Sequence, residues 1–301
     1  MDLEKKGMLF IVFTAIVSGI SIFINFWAVK GFDSSVFTFS KNLLVAIFLL
    51  TIILAFSMFK DVRKLSRKDW LKLAGLGLIG GSIPFLLFFR GIQLANGSIA
   101  SFIHKAIFIP VIVLAFFFLR EKPNKWMLLG AGLLLGGTYL LVLPKLAWTI
   151  GLMFIAIAVL LWAADNVYAK YLLKDMSGTL VAFGRMFFGS LFMLVFLFAT
   201  GKAGMVIAMS AQQYLWILLT GVLLLLFVFS YYNGLKHVKV TTAASLLLLG
   251  LPITALLDAI FKGTAVSLAS AMGIVLIFAG IVLIAFLRTT SEVVVAQDGR
   301  A

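Results

Sequence analysis

The chain has 301 residues, of which 63% are hydrophobic and 12% charged, with a mean hydropathy of +1.17. That balance lies outside the range of soluble globular domains and, with only five prolines, outside the collagen-like and disordered classes. A net charge of +14 would suggest nucleic acid in a soluble protein, but here the basic residues sit between long apolar blocks, where they mark membrane-flanking loops. The absence of cysteine excludes disulfides, thiolate nucleophiles and Cys-ligated zinc.

A hydrocarbon core of about 30 Å requires about 20 helical residues. At that length the apolar blocks predict ten spans, at about 8–29, 34–58, 70–94, 98–119 and 126–143, then about 149–172, 178–199, 212–233, 240–261 and 266–287. The first, Met8 to Ala28, lacks a small-residue cleavage site and exceeds a signal-peptide core, so it reads as a retained span. Helices rather than barrel strands follow from block length and from the lack of period-2 alternation. With the N-terminus in the cytoplasm, Lys5, Lys6, the 60–72 basic cluster, Arg120, Lys122, Lys125, Lys170, Lys174, Lys236, Lys239, Arg288 and Arg300 fall inside. Only Lys30, Lys145, Lys202 and Lys262 fall outside. The C-terminus then returns to the cytoplasm of a cell-membrane-type bilayer, and residues 289–301 read as a disordered tail.

The chain repeats itself. Gly7-Met8-Leu9-Phe10-Ile11 lies over Gly151-Leu152-Met153-Phe154-Ile155, a shift of 144, and Phe39-Ser40-Lys41-Asn42 lies over Phe183-Gly184-Arg185-Met186. At a shift of 143, Gly91 falls on Gly234, Gly130 on Gly273 and Gly137 on Gly280, and Pro110 lies one position from Pro252. The predicted fold is therefore all-α and integral to the membrane, with a first five-helix repeat over 1–145 and a second over 146–288. An odd number of spans per repeat makes the two inverted, a design found in alternating-access transporters.

The sequence resembles the drug/metabolite transporter superfamily, specifically its EamA-type members, over about residues 7 to 287. The resemblance rests on the five-plus-five layout, on Lys41 and Arg185 early in the second helix of each half, and on a fourth-helix pattern of small residues before an apolar run and proline. That pattern is Gly91 through Ser101 to Pro110 and Glu121 in the first half, and Gly234 through Thr241-Thr242-Ala243-Ala244-Ser245 to Pro252 in the second. Where the first half closes on Glu121, the second has Gly263-Thr264. The resemblance implies a cavity surrounded by the first four helices of each half, a peripheral fifth and tenth helix, and movement of small metabolites without ATP, coupled to a proton or an exchanged substrate. No Gly-rich phosphate loop occurs, and neither a cofactor, a metal nor a nucleic-acid partner is expected.

Ionisable side chains inside spans cost about 2.5–3.5 kcal/mol each at the helix centre and are functional candidates. Asp165 and Arg185 lie on consecutive helices at matching depth and can pair across the gap. The equivalent positions in the first half are Ser21 and Lys41, where the cation lacks an acid. Lys41 therefore fits ligand contact, or alternatively snorkelling toward headgroups. His104 and Lys105 are about 100° apart on a helix expected to line the cavity. Lys105 with Lys41 favours a carboxylate or phosphate ligand; His104 fits a coupling proton or an interhelical hydrogen bond. Asp258 can pair with Lys262 at i, i+4 or serve coupling. Arg90 lies near the outer end of its helix and fits snorkelling. Asn25, Gln93, Asn96, Asn166 and Tyr168 can add hydrogen bonds to a ligand. Gly80, Gly81 and Pro84 interrupt the third span, which makes them a hinge or site-lining segment, and Pro110 with Pro252 predicts paired kinks. Small residues in the fifth and tenth helices fit close packing.

The expected function is secondary transport, as an exporter of small polar metabolites such as amino acids or organic anions. Efflux of lipophilic cations and a non-transport receptor or scaffold are the alternatives. An intramembrane enzyme would need a nucleophile with its base, or a carboxylate and histidine cluster, and neither pattern is present.

Overall fold

A computed structural model describes residues 2–29, 31–56, 59–94, 102–143, 149–263 and 266–284, except for the side chains of Phe26, Phe59, Ile92, Gln93 and Lys262. The predicted tail at 289–301 lies outside these residues, as do Asn96 and the side chain of Gln93. All regular structure among the described residues is helical. The membrane helices are α1 (Leu3–Ala28), α2 (Ser34–Ala55), α3 (Arg67–Leu76, a π segment Gly77–Ser82, then Ile83–Leu94), α4 (Phe102–Leu119) and α5 (Lys125–Val142). The second half contains α6 (Ile150–Leu172), α7 (Gly178–Ala199), α8 (Ala211–Leu235), α9 (Val240–Leu246, a 3-10 turn Leu247–Leu249, then Gly250–Lys262) and α10 (Leu268–Val282). Among the described residues nine are long and apolar enough to cross a bilayer, and α10, with 15 residues, is the shorter tenth.

The helix ends are written locally. Asp33 caps α2 through the amides of Ser35 and Val36, Ser66 with Asp69 forms a capping box on α3, and Ser210 with Gln213 forms another on α8. Asn124, Ser177 and Ser267 cap α5, α7 and α10. At the other ends Gly263 adopts the left-handed conformation after α9 with φ 65°. Between the caps the helices are apolar nearly all round. Phe118 and Phe198, 74% and 68% exposed, are what a surface solvated by lipid rather than water presents.

The packing has the two-fold relation that the repeat requires. The first half's α1 lies against α8 and α9, and its counterpart α6 lies against α3 and α4; α2 meets α7, and α5 meets α10. Glycines mark the crossing points. A Cβ on Gly7 would come within 3.0 Å of the Gly234 carbonyl, and one on Gly91 within 2.8 Å of the Gly151 carbonyl, and these two contacts are repeat equivalents. Along α5 and α10 the equivalence is crosswise. Gly130 faces Gly280 and Gly137 faces Gly273, each with a Cβ-to-carbonyl approach of 2.7–2.8 Å that only glycine permits.

Among the described residues three spans are interrupted. In α3 the π segment occupies the Gly80-Gly81 stretch; in α4 a turn falls at Ala106-Ile107; in α9 the 3-10 turn takes its place. Pro84, Pro110 and Pro252 stand just beyond each, and since proline has no N–H the carbonyls of Gly80, Ala106 and Leu248 receive no bond at the i−4 spacing.

Candidate functional site

The Gly80 carbonyl is where side chains of the second half meet the first. Arg185 on α7 donates from Nη2 to that oxygen at 2.8 Å, and Trp162 on α6 donates from Nε1 at 3.1 Å. The next carbonyl, Gly81, accepts from Asn42 Nδ2 of α2 at 3.0 Å. The π segment is thus held by three neighbouring helices. Asp165 completes the group: Arg185 Nε lies 3.1 Å from Oδ2 and 3.3 Å from Oδ1, with the two side chains 10% and 4% exposed. Buried this far, either group without the other would be left as an uncompensated polar or charged side chain. Gly80 is required for their fit, because a Cβ there would fall 2.0 Å from Asp165 Oδ1.

In the first half the corresponding region is built differently. Lys41 Nζ donates to Asn25 Oδ1 at 2.9 Å and lies 4.5 Å from the centroid of the Phe37 ring. Asn25 in turn donates to the carbonyl and hydroxyl of Ser21, at 2.7 and 2.9 Å. Ser21 is the repeat equivalent of Asp165, so where the second half puts a carboxylate the first has a neutral relay one turn long. Among the described residues no carboxylate lies within 4.0 Å of Lys41 or Lys105. Lys41 is the eighth residue of α2, about 10 Å along the helix from its N-terminal end.

His104 and Lys105 occupy the half-buried start of α4, just before the turn at Ala106. The His104 ring stands 5.0 Å from Phe88 and 5.2 Å from Trp162, and Trp162 is also 5.2 Å from Phe85. Trp162 therefore joins the aromatic group around His104 to the Gly80 junction. The repeat equivalents of His104 and Lys105 in α9 are leucines, Leu247 and Leu248, so this polar pair belongs to one half only.

Other sequence candidates lie elsewhere. Tyr168 lines a cavity of about 400 Å³ between α3, α4 and α6, with Ile79, Leu114, Phe118 and Tyr171, and not with Lys41. Asn166 accepts from the Tyr231 hydroxyl and donates to Trp162 O at 2.9 Å, an α6 to α8 link. Asp258 is half-buried on α9. Its suggested partner Lys262 lies outside the described side chains.

Residues that sequence reasoning missed share one trait: their partners are remote backbone atoms. Trp162 and Asn42 are bonded to carbonyls 82 and 39 residues away. The signal was available in that an indole or amide donor inside a span must find an acceptor, and Pro84 exposes one. Glu121 is legible in the sequence only as the end of the fourth helix. Its carboxylate accepts from the amides of Val240 and Thr241 at 3.0 and 3.3 Å and from the Thr241 hydroxyl at 2.7 Å, capping α9 from another helix.

Comparison with known proteins agrees with this architecture. The profile of the EamA-like transporter family matches residues 5–143 and 149–286, one copy on each half. A solved crystal structure 17% identical in sequence superposes with a TM-score of 0.76, covering 94% of this chain and 97% of that one, which shows the shared fold. No curated protein matches. With ten helices in two inverted repeats and the family profile on both, the chain belongs to the EamA-like transporter family and is a multi-pass membrane transporter of the drug/metabolite type.

Proposed function

We propose that the protein is a secondary transporter that moves a small polar metabolite bearing an anionic group, an amino acid or organic acid, by alternating access, with both termini cytoplasmic and export as the working direction. The observation that carries this reading is the unequal treatment of two equivalent cations. Arg185 is neutralised by Asp165 at 3.1 Å, whereas Lys41 has the amide oxygen of Asn25 at 2.9 Å. A cation in a span costs about 2.5–3.5 kcal/mol to insert, and a neutral partner leaves most of its charge available to a ligand. Lys105, at the interrupted start of α4, adds a second positive charge to the same half. The inside bias of basic loop residues supports the orientation. The inverted repeat supports alternating access.

The test is counterflow in proteoliposomes with labelled anionic, zwitterionic and cationic metabolites at several pH values. Lys41→Ala should reduce transport of the anionic or zwitterionic substrate by at least about tenfold, while the protein remains monodisperse. Preferential transport of cations, unaffected by Lys41→Ala and Lys105→Ala, would overturn the substrate class.

A further inference from the structure

The end of α4 and the start of α9 belong to different halves of the molecule, and one side chain joins them. Glu121 is fixed by its own backbone: Arg120 adopts the left-handed conformation with φ 57°, and the Glu121 amide bonds back to Ala115 O at 3.1 Å. From that anchor the carboxylate takes the amides of Val240 and Thr241 and the Thr241 hydroxyl, at 3.0, 3.3 and 2.7 Å. The residue in the N-cap position of α9, Lys239, makes no side-chain cap bond, so Glu121 does from across the molecule what Asp33 or Ser210 does locally for other helices. A negative charge there also meets the positive end of the helix dipole.

Neighbouring contacts tie the same end together. Lys170 on α6 donates to the last carbonyls of α8, Leu235 and Lys236, at 2.8 and 3.1 Å, and Lys236 donates to Met176 O at 3.0 Å. Lys170 is also within electrostatic reach of Glu121. These lysine contacts lie within the second half, whereas Glu121 reaches from the first half to the second. Val240 and Thr241 are completely buried beneath it, and Ser245, one turn further in, is 1% exposed. At the repeat-equivalent end of α9 the sequence is Gly263-Thr264, with no acid to make the reciprocal contact.

We propose that Glu121 is a positioning residue of the transport cycle, a clasp between the two halves that closes the cytoplasmic mouth when engaged and must release α9 for that mouth to open. The inference rests on the alternating-access reading above. Because the Gly263-Thr264 end lacks the acid, the clasp acts on one side only, and it biases the resting protein toward the state closed on the Glu121 side.

The chain's lack of cysteine makes the test direct. Ser245→Cys introduces the sole thiol, and an impermeant maleimide is applied to right-side-out and to inside-out vesicles. With Glu121 intact, labelling should be slow from both faces. Adding Glu121→Ala should raise it by about tenfold or more in inside-out vesicles, with Glu121→Gln, which retains one acceptor oxygen, in between. The maximal transport rate should fall in Glu121→Ala more than the apparent affinity does, and Glu121→Gln should restore part of it. Should Glu121→Ala not fold, Thr241→Val removes only the shortest of the three bonds and should give a smaller increase of the same sign. Unchanged labelling from both faces in folded protein overturns the clasp. Faster labelling from the outer face alone supports the clasp and overturns the proposed orientation. Faster labelling with transport unaltered supports the contact as a closure and overturns alternating access through this mouth.

Discussion

Removing the Asp165 carboxylate is the most demanding test of the helix junction. In Asp165→Ala the Arg185 guanidinium would keep its bond to Gly80 O at 2.8 Å but lose both carboxylate contacts, at 3.1 and 3.3 Å, while its side chain remains about nine-tenths buried. An uncompensated buried charge of this kind costs about 3–5 kcal/mol. At about 2 °C per kcal/mol, the low end of the range for large domains, melting should fall by about 6–10 °C. Asp165→Asn preserves the shape and one acceptor, so its cost should be nearer about 1.5–3 kcal/mol, the loss of a charged hydrogen bond. The double variant Asp165→Ala/Arg185→Ala removes both charges together and should be less destabilised than the sum of the singles by about 2–3 kcal/mol. Thermal unfolding in detergent followed by tryptophan emission suits the assay, because Trp162 donates to the same Gly80 oxygen. If the singles add without coupling, or each costs under about 1 kcal/mol, the pair is not a structural clamp.

Three further outcomes follow from the structure. Gly137→Val places its Cβ 2.7 Å from the Gly273 carbonyl and should lower stability by about 1–3 kcal/mol, whereas Gly132→Ala on the same helix meets nothing within 4 Å and should be neutral or slightly stabilising, both read by thermal melting. At the N-terminus of α2, burial pushes the Asp33 carboxyl up, but hydrogen bonds from Lys202, the Ser35 hydroxyl and the Val36 and Ser35 amides outweigh it and hold the group at about 2. With the folded value depressed, its contribution is complete above the unfolded value of about 3.9 and lost as pH falls toward 2. Lys202→Ala should therefore cost under about 1 kcal/mol and by the same amount across pH 5 to 8, as a melting series would show. Gly80→Ala should displace the Asp165 carboxylate, since its Cβ would lie 2.3 Å from Asp165 Cγ, and should mimic Asp165→Ala in the same melting assay.

Much of the architecture was legible in the sequence because the bilayer makes helix length a direct readout and the repeat supplies its own internal alignment. Gly130 over Gly273 and Gly137 over Gly280 were visible as a 143-residue offset, and in the structure these glycines face one another across α5 and α10. Matching depth alone pairs Asp165 with Arg185, and they lie together in space. Side-chain azimuth was not legible. A helix apolar on all faces has no moment to say which way a residue points, so Tyr168, a candidate for hydrogen bonding to the ligand, lies in the α3, α4 and α6 cavity and not beside Lys41. The partner of Lys41 was missed for a related reason. Repeat equivalence shows only that the position opposite Lys41, Ser21, carries no acid, and the lysine reaches Asn25 one turn along α1.

The crosswise meeting of glycines along α5 and α10 has a consequence for assembly. Because each repeat presents the same close-packing stripe that it receives, the seam is self-complementary, and a tenth helix from one chain satisfies the fifth of another as well as its own. What keeps the match within one chain is the packing of the rest of the second half, since α6 lies on α3 and α4, α7 on α2, and α8 and α9 on α1, which holds α10 beside α5.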